Sequence, residues 1–152
     1  MLEAIQGYRG PEHVSVKDLE SSGPFPLGAP NTAFARYFSG KSWLAPISTS
    51  QVPLFAVSFE PGSRNSWHVH KASRGGGQVL VVTAGCGYYQ EWGGEPVELR
   101  PGDVVHIPPN VKHWHGAAPG TAFQHLAIEV PGEDTGTVWE EPVADADYAR
   151  LA

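Results

Sequence analysis

GSRNSWHVH (residues 62–70) and GDVVHIPPNVKHWH (residues 102–115) decide how this chain folds. Each leaves a glycine turn and ends on a His-x-His unit. In a β-strand, residues two apart point to the same face. His68 and His70 therefore project together, and His113 and His115 repeat the arrangement on a second strand some forty residues later. One histidine by itself reads as a hydrogen-bonded core or surface residue. Two same-face pairs, each following a Pro/Gly turn, have the geometry of a metal cage.

Outward from these units, the chain reads as short strands separated by turns. Candidate strands are 34–39, 43–48, 53–59, 66–70, 77–84, 86–92, 96–99, 103–107, 113–116 and 122–130. The breaks fall at Glu60-Pro61-Gly62, Gly85-Cys86-Gly87, Gly93-Gly94, Arg100-Pro101-Gly102 and Pro108-Pro109-Asn110, all turn chemistry. Many short strands at near-regular spacing predict an all-β domain closed as a jelly-roll barrel. Residues 34–140 are assigned to that barrel. Residues 1–33 read as an extended N-terminal arm, because Pro11, Pro24, Pro26 and Pro30 exclude a long helix. Within the arm, segment 13–20 reads as a short strand or a turn. The tail, 141–152, carries acidic residues at the start of a short helical stretch from Asp145.

The composition agrees with one β-rich domain. The chain has 152 residues, 41% hydrophobic, enough to bury a sizeable core. Gly 18 and Pro 14 favour turns over long helices. Net charge is −6 and no Lys/Arg cluster occurs, which argues against nucleic acid as a partner. No apolar run approaches the roughly 18 residues of a membrane span. Cys86 is the single cysteine, so no intrachain disulfide framework is expected. The N-terminus lacks a basic segment followed by an apolar one, and a cytoplasmic location is the expectation.

The two stretches resemble the paired motifs of the cupin superfamily, G-x5-H-x-H-x3–4-E-x6-G and G-x5-P-x-G-x2-H-x3-N. Here they span residues 62–117, in the right order. Gln78 stands where the motif has Glu, after a loop (Lys71 to Gly77) longer by about three or four residues. The six-residue spacing from Gln78 to Gly85 restores the register. Asn110 stands for a turn Gly and adopts positive φ more readily than most residues. Ala117 stands where the motif often has Asn. QVLVVTAGCG (78–87) and KHWHGA (112–117) are further similar to small bacterial cupins with manganese-dependent hydroxynitrile lyase activity, and to cupins associated with carboxymuconolactone decarboxylase-like proteins. The resemblance implies His68, His70, Gln78 and His113 as metal ligands, and His115 and His125 as catalytic histidines. It favours Mn or Fe as the divalent metal, with Zn or Ni compatible with the donors.

Three imidazoles and an amide oxygen are neutral, so an ion held by them keeps nearly its full +2 charge as a Lewis acid. Strand alternation puts His125 on one face with Phe123 and Ala127. A lyase acting on a small molecule is the leading expectation. A non-haem dioxygenase, an isomerase or decarboxylase of a small hydroxy or oxo acid, and a non-enzymatic small-molecule-binding protein are the alternatives. Trp67, Trp92, Trp114, Tyr88 and Tyr89 read as barrel core or a subunit face, or else as the walls of an aromatic pocket. A homodimer or higher homo-oligomer is expected, since cupins commonly pair through their sheets.

Overall fold

A computed structural model describes residues 1–8 and 10–151. Its elements begin with β1 (Leu2–Ala4), α1 (Val16–Ser22), β2 (Ala29–Pro30), a 3-10 turn (Ala35–Tyr37), β3 (Phe38–Ser39), β4 (Ser42–Ser48) and β5 (Leu54–Phe59). They continue with β6 (Arg64–Asn65), β7 (His68–Lys71), β8 (Arg74–Gly75), β9 (Gln78–Gly85), β10 (Gly87–Glu91) and β11 (Val97–Leu99). The last are β12 (Asp103–Ile107), β13 (His113–Ala117), β14 (Phe123–Glu129), β15 (Gly132–Glu133), β16 (Gly136–Trp139) and α2 (Asp145–Tyr148).

Two antiparallel sheets face each other. One runs β1-β12-β9-β14-β5-β4-β2; the other runs β11-β10-β13-β6-β3, with β7 between β13 and β16. The apolar residues of alternate positions, among them Phe59, Leu80, Val82, Leu99, Val105 and Phe123, meet between the sheets with at most 1% exposure. Each such side chain contributes about 1.5–3 kcal/mol of burial free energy. The all-β jelly-roll barrel expected from the turn spacing is therefore present, and the short C-terminal helix is α2.

Local differences have local causes. Segment 13–20 contains a helix, not a strand or turn. Ser15 Oγ accepts the Asp18 amide at 3.0 Å and the Asp18 carboxylate accepts the Ser15 amide at 3.0 Å, a reciprocal capping box. The helix then buries Leu19 against Val14, Leu27, Ala84 and Ala122. The segment 34–39 opens as the 3-10 turn before it extends. Strand β16, hidden in a run of charged and small residues, pairs with β7 so that Trp139 lies opposite His68.

The long loop before Gln78 is ordered by its neighbours. Gly75, Gly76 and Gly77 all have positive φ, and a Cβ on Gly77 would stand 2.5 Å from the Ile107 carbonyl oxygen. Strand β8, inside this loop, pairs with β15. Asn110 anchors the loop's base. Its backbone takes φ 67°, its amide donates to the His70 carbonyl at 2.8 Å, and its side chain pairs with both the N–H and C=O of Ala72 at 3.0 Å. Replacing Asn110 by Ala removes both side-chain bonds and leaves a strained backbone. Chemical denaturation is expected to show a loss of about 1–3 kcal/mol, with Asn110→Gly recovering the backbone part only. An Ala variant as stable as the parent would contradict this anchoring.

Candidate metal centre

Strands β7 and β13 pair with His68 opposite His113, and His70 lies on the same face two residues along. One ring nitrogen from each of the three imidazoles lies within 4.8 Å of the others. The side chains are 9% exposed or less. Which nitrogen faces inward follows from the outer one. His68 Nδ1–H donates to the Ser66 carbonyl at 2.8 Å, and His113 Nδ1–H donates to the Val111 carbonyl at 2.9 Å. A carbonyl only accepts, so each Nδ1 carries the proton and each Nε2 keeps a lone pair. His70 places its Nδ1 3.3 Å from the Thr137 hydroxyl.

Buried atoms without partners test whether these residues fit a cation. His70 Nε2, His113 Nε2 and Gln78 Oε1 are buried and make no hydrogen bond to protein. An unpartnered buried polar atom is costly, and a cation taking the lone pairs of His113 Nε2 and Gln78 Oε1 would satisfy them, as it would His70 Nε2 when the Thr137 hydroxyl accepts from His70 Nδ1–H. Gln78 joins the group from β9, opposite Glu129 of β14. Its Nε2 donates to Glu129 Oε1 at 2.6 Å, which leaves Oε1 as the atom without a partner. The neutral donor set expected from the sequence thus has a carboxylate directly behind its amide.

Behind the triad lies a second polar chain. The His115 amide donates to Asn65 Oδ1 at 2.9 Å, leaving Asn65 Nδ2 to donate to the ring, 3.2 Å from His115 Nε2 and 3.4 Å from Nδ1. His115 Nδ1 and His125 Nε2 are 3.1 Å apart, and His125 Nδ1–H donates to the Leu126 carbonyl at 3.2 Å. Satisfying every partner requires His115 Nδ1–H to donate to His125 Nε2. The His115 ring centroid is 5.7 Å from that of His68 and 6.0 Å from that of His113. The structure brings the six sequence-derived residues together. Asn65 and Glu129, which order them, carried no signal in the histidine pattern.

The site opens on a cavity of about 260 Å³. Phe34, Phe38, Leu44, Phe55, Val57, Ala127 and Trp139 supply its apolar wall, and Asn31, Asn65, Thr137 and Glu129 its few polar groups besides the site itself. Among the described residues, no lysine or arginine lines it. Trp139 stacks on Tyr37 at 4.5 Å between centroids and stands 4.6 Å from the His68 ring. Of the aromatic residues singled out in the sequence, none lines this cavity. Trp67, Trp114 and Tyr88 pack outside the barrel with Val143 and Tyr148. Trp92 is 59% exposed, with Lys112 3.5 Å over its ring, and Tyr89 joins the barrel core.

Burial holds every imidazole of the cluster below the ordinary histidine range. It brings His113 and His125 down to about 4 and pulls His68 and His115 well below 6.5, with neighbouring histidines adding to the shift. Burial lowers His70 as well, against the opposing pull of Glu129 and Gln78. The folded protein therefore binds fewer protons than the unfolded chain once the pH falls below about 6.5. Stability rises with pH there, each histidine contributing up to about 1.4 kcal/mol per pH unit. Denaturant titrations of metal-free protein are expected to show full stability at pH 7–8 and a progressive loss toward pH 5. A flat profile would exclude neutral buried imidazoles.

Comparison with known proteins agrees with this architecture. Residues 55–129 match the cupin domain family. The chain is 44% identical over 120 residues to an (R)-mandelonitrile lyase of Granulicella tundricola, covering 76% of this chain and 88% of that one. A cupin-like protein of Thermotoga maritima superposes with a TM-score of 0.74 at 36% identity, covering 85% of this chain and 96% of that one. The DMSP lyase DddQ of Ruegeria pomeroyi shares the fold, with a TM-score of 0.55 at 18% identity over 82% of this chain and 59% of that one. Two facing antiparallel sheets, a buried imidazole triad between them and these matches together make the chain a member of the cupin family.

Proposed function

We propose that this protein is a metal-dependent lyase that cleaves a cyanohydrin into a carbonyl compound and hydrogen cyanide, with manganese the favoured metal. The observation that carries the reading is the buried imidazole cluster, with unpartnered Nε2 atoms on His70 and His113, beside an apolar cavity into which no cationic side chain of the described residues reaches. Away from the ion, the chamber offers a carboxylate only Glu129 and, among the described residues, no Lys or Arg, whereas its aromatic walls suit an uncharged aryl group. A neutral, aromatic cyanohydrin fits those walls and would turn its hydroxyl toward a bound ion. The relative named as an (R)-mandelonitrile lyase supports the same class.

His68, His70 and His113 would hold the ion through Nε2 and Gln78 through Oε1. A bound divalent ion supplies Lewis acidity that makes a substrate hydroxyl easier to deprotonate. His115 would take the hydroxyl proton on Nε2, with Asn65 Nδ2 yielding that lone pair and His125 Nε2 holding the ring by accepting from His115 Nδ1–H. The electron pair of the former O–H bond then forms C=O, and the C–CN bond breaks with its pair on cyanide. Returning the proton from His115 to cyanide gives hydrogen cyanide and restores the neutral ring. Phe34, Phe38, Phe55 and Trp139 would hold the aryl group and keep bulk water from the cleaving bond.

Two measurements test this reading. Protein purified without added metal and then loaded with Mn is expected to retain about one ion per chain, and His113→Ala to retain under about a tenth of that at equal metal activity, since the triad loses one of its three nitrogens. Equal metal content in the two would sink the ligand assignment. With an aromatic cyanohydrin, His115→Asn is expected to lower turnover at least about 10²-fold while keeping its metal. Unchanged turnover removes His115 from the reaction, and O₂ uptake without cyanide release would replace the lyase with an oxygenase.

A further inference from the structure

A glutamine amide can face a cation in two ways, and only one presents oxygen. At Gln78 that choice is made by Glu129. The two residues are directly opposed across β9 and β14, and Gln78 Nε2 lies 2.6 Å from Glu129 Oε1. Reversing the amide would put oxygen against a carboxylate oxygen at that distance, with no proton between them. The other end, Oε1, is then the buried atom left without a partner, in the neighbourhood of His70 and the triad. Glu129 itself is only half-buried. It lines the cavity on one side and, on the other, an adjoining cleft shared with Gln51 and Lys71, so its charge remains partly hydrated.

We propose that Glu129 is a positioning residue for the ion, and that Gln78 and Glu129 act as one unit. In that unit the amide oxygen is the ligand, and the carboxylate fixes its orientation while placing a negative charge behind it. This rests on the reading that the site holds a divalent ion. The hydrogen-bonded carboxylate polarises the amide and raises the electron density on Oε1, as a carboxylate does for a metal-bound imidazole. Glu129 need not touch the ion to do so.

Replacing Glu129 by Gln preserves size but lets either end of the new amide face Gln78, so the ligand oxygen loses its fixed orientation. Manganese dissociation constants, read from the free-ion electron paramagnetic resonance signal, are expected to rise about 10–100-fold in Glu129→Gln. The exchanged double variant, Gln78→Glu with Glu129→Gln, puts a carboxylate at the ligand position. Both its oxygens can face the ion, so no amide has to be oriented. It is expected to return the constant to within a few-fold of the parent. Thermal unfolding of the metal-free proteins checks that all three are folded. A Glu129→Gln protein that binds as the parent does overturns the assignment. So does a double variant as weak as the single one, because a packing role for Glu129 would not be rescued by exchange. A parent that binds no manganese overturns the proposed function along with this assignment, whereas a parent that binds it beside an unchanged Glu129→Gln overturns this assignment alone.

Discussion

Each of two facing imidazoles gives its outer nitrogen to a backbone carbonyl two residues before it, His68 to Ser66 and His113 to Val111. Nearly everything about the site depends on that repeated bond. It sets the tautomer, turns the ring edge-on to the interior, and leaves the inner lone pair free for an ion. Because the acceptor is main chain, the orientation is as rigid as the barrel wall. The sheet pairing of β7 with β13 then brings the two rings to 4.2 Å between centroids without a loop in between.

That rigidity is bought with desolvation. Burial raises the cost of protonating all five histidines, and neighbouring histidines add to it at His68, His113 and His115, which favours neutral rings available as acceptors. A site prepared this way needs little rearrangement when a cation enters. The same desolvation ties the fold of the metal-free chain to pH, so the chemistry of the centre and the stability of the barrel share one cause.

Local pattern carried the strands and the donors. His-x-His spacing, the Pro/Gly turns and strand alternation each depend on residues a few positions apart, and these came through in the sequence. Even the unexpected α1 was written locally, in Ser15 and Asp18 at capping-box spacing. The residues that no local pattern marks are joined across the fold. Glu129 gains its meaning from Gln78, 51 positions away, and Asn65 from His115, 50 positions away. Trp139 belongs to a short strand without clear alternation, and it matters only because β16 lies beside β7. The prominent Trp-rich segments attracted attention because they flank the histidines. A residue next to an inward-pointing histidine points outward by the same alternation that made the histidine pair visible. Trp67 and Trp114 obey that rule and lie on the far side of their strands.

The cavity draws its parts from separate stretches of chain. Its imidazole-lined floor comes from residues 68–125, whereas Asn31, Phe34 and Phe38 arrive from before the first motif, and Thr137 and Trp139 from β16, beyond the second. Floor and rim are therefore distant in sequence yet joined in space. Thr137 meets His70 and Trp139 lies on His68, so an exchange in the rim reaches the imidazoles as well as the molecule admitted. Selecting a new occupant and keeping the cradle intact are one problem for this chain, not two.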